Sequence, residues 1–255
     1  MWSEARHQKI RMLLQRHGRI TTEDAIGELG VSRETVRRDF LALEALGLLQ
    51  RVHGGAVYLS DEPPIDKRNT IHIAAMQAIA RAAAQRLRPP VTLFMDAGST
   101  TTLLARELAR LSGLTLITNS LSAAACFTEN PGSTDNQIII LPGVLNTALS
   151  STSGASTILQ IQTFHADIAL LSPVAVNARQ GAASFLHDEA LIARAMSEGA
   201  AETWILADHS KIGASSRETY CPPERIGRLF CNHQARQTEG FEALRKKVGE
   251  VVLVS

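Results

Sequence analysis

Cysteine is scarce in this chain of 255 residues: there are three thiols, at positions 126, 221 and 231, with no CxxC spacing. Neither a disulfide framework nor a cysteine zinc site is suggested, and a reducing compartment fits. Long apolar runs are also missing. Nothing approaches the roughly 18 consecutive apolar residues of a membrane span, and the opening stretch MWSEARHQKIRMLLQRHG carries charge every few residues, unlike a secretion signal. The expectation is a soluble, cytoplasmic protein with no membrane partner. A charge excess of one sign is absent as well: 26 Lys and Arg stand against 25 Asp and Glu, a formal net charge of +1. That balance argues against a histone-like or polybasic membrane-binding protein, so any nucleic-acid binding must come from local arrangement. The length and a 45% hydrophobic content allow one large domain or two ordinary ones and exclude disorder as the main state.

Two regions differ in texture. Residues 1–59 show short helical patterns with nine Lys or Arg against seven Asp or Glu, about +2 locally. Residues 60–69, SDEPPIDKRN, are polar and hold Pro63-Pro64, which remove backbone donors and resist helix; they read as a linker. From residue 70 to 255, strand-length apolar runs at 91–95, 114–118, 137–141, 167–171, 203–207 and 250–254 alternate with helical patterns, after an Ala-rich helix over 71–87. The predicted architecture is α/β, with a mainly parallel sheet covered on both faces.

In the first region Thr22 is placed to cap one short helix and Ser32 the next. In the second helix Val36, Phe40, Leu43 and Leu46 recur at helical spacing and face inward, while Arg33, Glu34, Arg37 and Arg38 face out. A helix with guanidinium groups at its start suits the major groove, where an arginine can donate two bonds to a guanine. After it, LLQRVHGGAVYL reads as two strands joined by a turn at Gly54-Gly55, a wing whose Arg51 or His53 reaches the DNA backbone. Amphipathic packing alone explains a capped helix pair; the cationic face and the hairpin beside it favour DNA binding.

In the second region, strand 91–95 runs into DAGSTT and then a helix, so the loop lies where ligands bind in open α/β sheets. Gly98 permits a tight turn, Ser99, Thr100 and Thr101 bring hydroxyls and amides to a helix start suited to phosphate, and Asp96 can accept from a sugar hydroxyl. Hydroxyls there are equally explained as caps. Asn119 and Ser120 repeat the geometry after the next strand. Gly143 follows the third strand and lets backbone approach a ligand. In ADHSKIG, Lys211 supplies a point charge for phosphate while Asp208 and His209 orient neighbours. No metal, cofactor or catalytic residue is expected.

The string VSRETVRRDFLALEALGLLQRVHGGA resembles the amino-terminal signature of the DeoR-type (deoxyribose-operon repressor type) bacterial regulators. The likeness extends through DAGSTT, ITNS, Ser153-Gly154-Ala155, Asp167, Gly181, Glu189 and DHSKIG, nearly the whole chain. It implies a winged helix-turn-helix that binds double-stranded operator DNA through Ser32, Arg33, Thr35, Arg37 and Arg38, with His53, Gly54 and Gly55 as the wing. It further implies a larger domain similar in fold to ribose-phosphate isomerases that senses a phosphorylated sugar, adding Glu189 to the pocket residues. A homo-oligomer is expected, since palindromic operators mirror protein symmetry. Three positions depart from the family pattern: Val144 and Ala175 replace glycines, and Met76 replaces a lysine. Two other functions compete. One is an isomerase-type enzyme using Asp96, Glu189 and Lys211; the other is a DNA-binding protein whose α/β region is only an oligomerisation scaffold.

Overall fold

The computed structural model describes residues 2–17, 19–45, 48–52, 54–58, 72–129, 135–147 and 149–255. Leu46, His53 and the Pro63-Pro64 linker lie outside them. The chain forms two compact units, Met1–Arg68 and Asn69–Ser255.

The first unit runs α1 (Ser3–His17), β1 (Arg19–Thr21), α2 (Thr22–Leu29), α3 (Arg33–Ala45), β2 (Leu49–Val52) and β3 (Gly55–Tyr58), the strands forming an antiparallel sheet in the order β1-β3-β2. In α1, Ile10 and Leu14 are one turn apart and join Ile20, Ala25, Val36, Phe40, Leu43 and Leu49 in a single core. This is a winged helix-turn-helix. Gly30, at φ 64, closes α2 with its N–H on the Ile26 carbonyl.

The cap of α2 corrects the sequence expectation. Thr21, not Thr22, is the N-cap: its hydroxyl accepts the Asp24 N–H at 3.0 Å and the Asp24 carboxylate accepts the Thr21 N–H at 3.3 Å. Only Thr21 has an acid three residues on, which makes the reciprocal box possible. Thr22 is instead the first helical residue, and its backbone N–H donates to the Gly54 carbonyl at 2.8 Å. Thr21→Ala is therefore expected to destabilise the first unit by about 1 kcal/mol and Thr22→Ala by much less, a contrast that urea unfolding of the two variants resolves.

The second unit contains a seven-stranded, wholly parallel sheet. Helix α4 (Ile73–Ala84) precedes β4 (Val91–Met95), α5 (Ser99–Leu108), β5 (Leu114–Thr118), α6 (Leu121–Glu129) and β6 (Gln137–Ile140). A hairpin, β7 (Val144–Asn146) and β8 (Ser151–Ser153), and α7 (Ala155–Ile161) lead to β9 (Ala166–Leu171). Next come β10 (Ala175–Asn177), β11 (Gly181–Ser184), α8 (His187–Glu198), β12 (Ala200–Leu206), β13 (Glu218–Cys221), β14 (Ile226–Asn232), α9 (Phe241–Arg245) and β15 (Glu250–Val254). The main sheet has the order β15-β14-β12-β9-β4-β5-β6, and β10-β11-β13 form a small antiparallel sheet.

Six of the seven main strands correspond to the apolar runs in the sequence. The seventh, β14, escaped because Gly227 and Arg228 interrupt its first half. Alternate residues of each strand feed opposite cores. Leu93, Met95, Leu116, Leu170, Trp204, Leu206 and Phe230 pack with Ile79 of α4, Leu104 of α5 and Cys126 of α6. Phe94, Ile117, Ala169, Leu171, Ile205, Leu229 and Cys231 pack with Ile161 of α7, Met196 of α8 and Ala182 and Tyr220 of the small sheet. All three thiols are buried and free.

Candidate DNA-binding surface and effector site

On the first unit, Ser32 begins α3: its hydroxyl accepts the Thr35 N–H at 3.3 Å and lies 2.9 Å from the Thr35 hydroxyl. Beyond it Arg33, Glu34, Arg37 and Arg38 are all exposed. Each arginine is held by a carboxylate. Arg33 pairs with Glu23, and Glu34 accepts two bonds from Arg37 at 3.0 Å and one from Arg38 at 3.4 Å. The Arg37 hydrogen bonds hold the Glu34 carboxyl below the ordinary carboxylate range. Exposed pairs of this kind are weak and readily exchanged, so the guanidinium groups are available to phosphates and base edges.

In the wing, Arg51 is tied back to α3, its N–H and guanidinium donating to Glu44 at 2.9 and 2.7 Å. Gly54 takes φ 82 at the tip of the β2–β3 hairpin. Gly55 is required for a different reason, because a Cβ there would run into the backbone of Ile20 and Thr21 on β1. Gly54 and Gly55 thus shape the wing.

Sequence reasoning missed Asp39. It sits on the inward stripe of α3, buried, and accepts two bonds from Arg6 of α1 at 2.6 and 2.9 Å, with His7 Nε2 at 3.1 Å. Burial pushes the carboxyl up, but Arg6 and then His7 more than offset it, and the group titrates below its usual value. An acid three residues after Val36 and four before Leu43 was the available signal, since a charge on an apolar stripe demands a partner.

On the second unit, β4, β5 and β6 run to one edge of the sheet while β9, β12, β14 and β15 run to the other. The switch in direction falls between β4 and β9, and the crevice outside their carboxyl ends is where ligands bind in such sheets. Asp96 follows β4 at that point, and its Oδ2 accepts the N–H of Ser172, just past β9, at 2.8 Å. Burial lifts the Asp96 carboxyl to about 7; the Ser172 N–H and Thr101 pull it down, and the charge of Glu189 adds to the rise.

The residues after Asp96 divide into ligand-ready and structural groups. Gly98 is extended, at φ −159, so no turn requires it. What does is contact: a Cβ would lie 3.1 Å from both the Ser172 Cβ and the Thr101 hydroxyl. Helix α5 starts at Ser99 without a side-chain cap, which leaves its amino terminus suited to an anion. Ser99 is half-buried and Thr100 buried. The Thr101 hydroxyl lies 3.1 Å from the Asp96 and Gly98 carbonyl oxygens and is thus turned onto its own backbone.

After β5, the register places Thr118 opposite Met95, so Asn119 neighbours Asp96 across the strand ends. Asn119 Nδ2 donates to the Thr152 carbonyl at 2.9 Å, while the Ser120 hydroxyl accepts the Ala123 N–H at 3.1 Å as a helix cap. Gly143, at φ 153, is closely packed. A Cβ there would strike the Thr157 hydroxyl and the Ser153 backbone, so its role is to let the β7–β8 hairpin pack. Val144, next to it, is 74% exposed, and Ala175 and Met76 are buried.

Glu189, on α8, accepts the Ser184 hydroxyl at 2.8 Å. After β12, Asp208 accepts the Ser210 N–H and hydroxyl at 2.9 and 2.6 Å, shaping the turn His209–Lys211 on which Lys211 is half-buried. The His209 N–H donates to Asn232 Oδ1 at 2.7 Å, and its Nδ1 lies 3.0 Å from Asn232 Nδ2. Asn232, at the end of the strand missed in the sequence, is a second residue that pattern reading could not place.

Among the described residues no cluster of three or more His, Cys, Asp or Glu side chains is placed to hold a metal ion, and no helix is long and apolar enough to cross a membrane.

Residues 6–62 match the DeoR-like helix-turn-helix domain, and residues 71–233 match the DeoR C terminal sensor domain. The chain belongs to the DeoR family. This DeoR-family chain is 31% identical over 237 residues to the transcriptional regulator GolR of Listeria innocua, covering 92% of each. It is 28% identical over 257 residues to a putative aga operon transcriptional repressor of Escherichia coli O157:H7, covering 99% of this chain and 94% of that one. With the glycerol-3-phosphate regulon repressor of Escherichia coli K12 the identity is 29% over 213 residues, 83% of each. Among solved structures, ribose 5-phosphate isomerase A of Methanocaldococcus jannaschii aligns with 55% of the DeoR-family chain and 55% of its own, at 17% identity and a TM-score of 0.39.

Proposed function

We propose that this protein is a DNA-binding repressor of a carbohydrate-utilisation operon whose operator affinity is changed by a phosphorylated sugar. The DNA half rests on one observation above the rest: the exposed start of α3 presents Arg33, Arg37 and Arg38 together, beside a wing. Ser32 and Thr35 start the helix that carries them, and Arg51 lies on the wing strand. The names of relatives, which include repressors of the aga operon and of the glycerol-3-phosphate regulon, support the carbohydrate setting. In sequence, residues 60–69 connect the reader to the sensor.

The sensing half rests on the switch-point crevice. Phosphate belongs at the uncapped start of α5, at Ser99 and Thr100, with Lys211 supplying charge; sugar hydroxyls belong at Asp96, Asn119 and Glu189. Binding there changes the populations of DNA-competent states. The protein acts by binding and not by turnover, in the cytoplasm, as a homo-oligomer that matches a palindromic operator.

Arg37→Ala is expected to weaken operator binding about tenfold to a hundredfold and, where it contacts a base, to relax one operator position. Gel-shift titration at several salt concentrations checks this. Unchanged affinity and salt slope across Arg33, Arg37 and Arg38 variants would remove α3 from the interface. For sensing, the same titration is repeated with individual sugar phosphates. Conversion of ribose 5-phosphate by the purified protein would favour the isomerase alternative.

A further inference from the structure

Three buried polar atoms at the switch-point end of the second unit have no hydrogen-bond partner among the described residues: Asp96 Oδ1, Asn119 Oδ1 and the Tyr220 hydroxyl. Their residues are 9%, 5% and 4% exposed. Such groups cost stability unless something bonds them. Asp96 and Asn119 are neighbours across the ends of β4 and β5. Tyr220 arrives from a different element, β13, which pairs with β11, the strand whose Ser184 holds Glu189. Burial keeps the Tyr220 phenol protonated, and the charges of Asp96 and Glu189 both reach it. A fourth such atom, Trp204 Nε1, belongs to the opposite core, with the Arg228 guanidinium 4.8 Å over its ring.

We propose that Tyr220 is an effector-binding, specificity-determining residue, and that with Asp96 and Asn119 it selects the polyhydroxylated part of the ligand. The assignment deepens the sensing function proposed above and rests on it. The chemistry follows from the inventory of atoms. Two buried acceptor oxygens need donors, and one buried phenol, which both donates and accepts, needs a partner; a sugar chain with adjacent free hydroxyls, each able to donate and to accept, matches all three, whereas a phosphate dianion brings acceptors only. The phosphate and polyol ends of the effector are thus recognised by different elements, α5 on one side and the small antiparallel sheet on the other. A site built to bond hydroxyls rejects analogues that lack them, because its own buried groups are then left unpaired.

Tyr220→Phe deletes one oxygen and keeps the ring in the core. The full-length wild type and variant are compared by thermal unfolding and calorimetric titration with glucose 6-phosphate, fructose 6-phosphate, ribose 5-phosphate, 2-deoxyribose 5-phosphate, glycerol 3-phosphate and inorganic phosphate. The ligand-free variant is expected to have a Tm equal to or above that of the wild type, and its Kd for the sugar phosphate that binds the wild type to rise at least tenfold. An unchanged Kd in a wild type that does bind a sugar phosphate overturns the assignment and leaves sensing intact. So does a lowered Tm in the ligand-free variant, which would mean that the hydroxyl holds the fold. Inorganic phosphate binding as tightly as any sugar phosphate also overturns it. A wild type that binds nothing in the panel overturns sensing and the assignment together.

Discussion

Raising the pH from about 5 to about 8 is expected to lower the unfolding temperature of the second unit, and Asp96→Asn to flatten that trend. The Asp96 carboxyl titrates near 7 in the folded chain, chiefly through burial, whereas an unfolded aspartate titrates near 3.9. Between these values the folded state binds a proton that the unfolded state has lost, so stability falls as pH rises through the window and levels off above it. The full difference corresponds to an order of 4 kcal/mol. Calorimetry across the pH range on wild type and variant isolates this contribution from other groups. A wild-type slope that persists in the Asp96 variant would assign it elsewhere. Binding of a hydroxyl-bearing ligand at Oδ1 should also reduce the slope, since a hydroxyl donor stabilises the charged carboxylate.

The first unit carries the opposite dependence. Asp39 titrates below its ordinary value because Arg6 and His7 outweigh its burial, so its contribution is present above about pH 4 and is lost as the pH falls through the folded-state value. Asp39→Asn keeps the shape but ends the paired bonding to Arg6, whose side chain is 15% exposed. Exposed pairs contribute about 0–1 kcal/mol, and breaking a buried pair costs about 3–5 kcal/mol. This partly buried pair lies between them, and a loss of about 2–3 kcal/mol is expected. Denaturant unfolding of Asp39→Asn, Arg6→Ala and the double variant measures the coupling. Near-additive losses would show that α1 is held to α3 by its apolar contacts alone. Because α1 supports the inner face of α3, operator binding by Asp39→Asn should fail at a lower temperature than in the wild type.

Much of the fold was legible because its signals are periodic. Apolar runs of strand length between helical stretches gave six of the seven main strands, and the α3 stripe gave the orientation of its arginines. What escaped depends on contacts between distant segments. β14 hides behind Gly227 and Arg228, and the small sheet is made of strands three or four residues long. Residue type placed Asp96, Asn119 and Lys211 on strand-end loops, but it could not separate hydroxyls that face a crevice from those turned onto backbone, such as Thr101, or used as caps, such as Ser120. Glycines show the same limit: the sequence offered a turn at Gly98, where the backbone is extended, and did not reveal the close contacts that a Cβ at Gly98 or Gly143 would make. Tyr220 carried no sequence signal, because only tertiary packing brings β13 within reach of Asp96.

The bond from the Ser172 N–H to Asp96 joins residues 76 apart in sequence, and the tie from the Thr92 N–H to the Asp167 carboxylate, joining the same two strands, spans 75. Helix pairs and hairpins form from local segments, but β9 docks beside β4 only after the entropy of closing that long loop has been overcome. The crevice therefore exists only once that loop has closed, whereas the winged helix, a separate unit with its own core, does not depend on that closure. A copy in which β9 has parted from β4 would keep the winged helix, whose core is its own, while the Asp96–Ser172 corner of the crevice is gone.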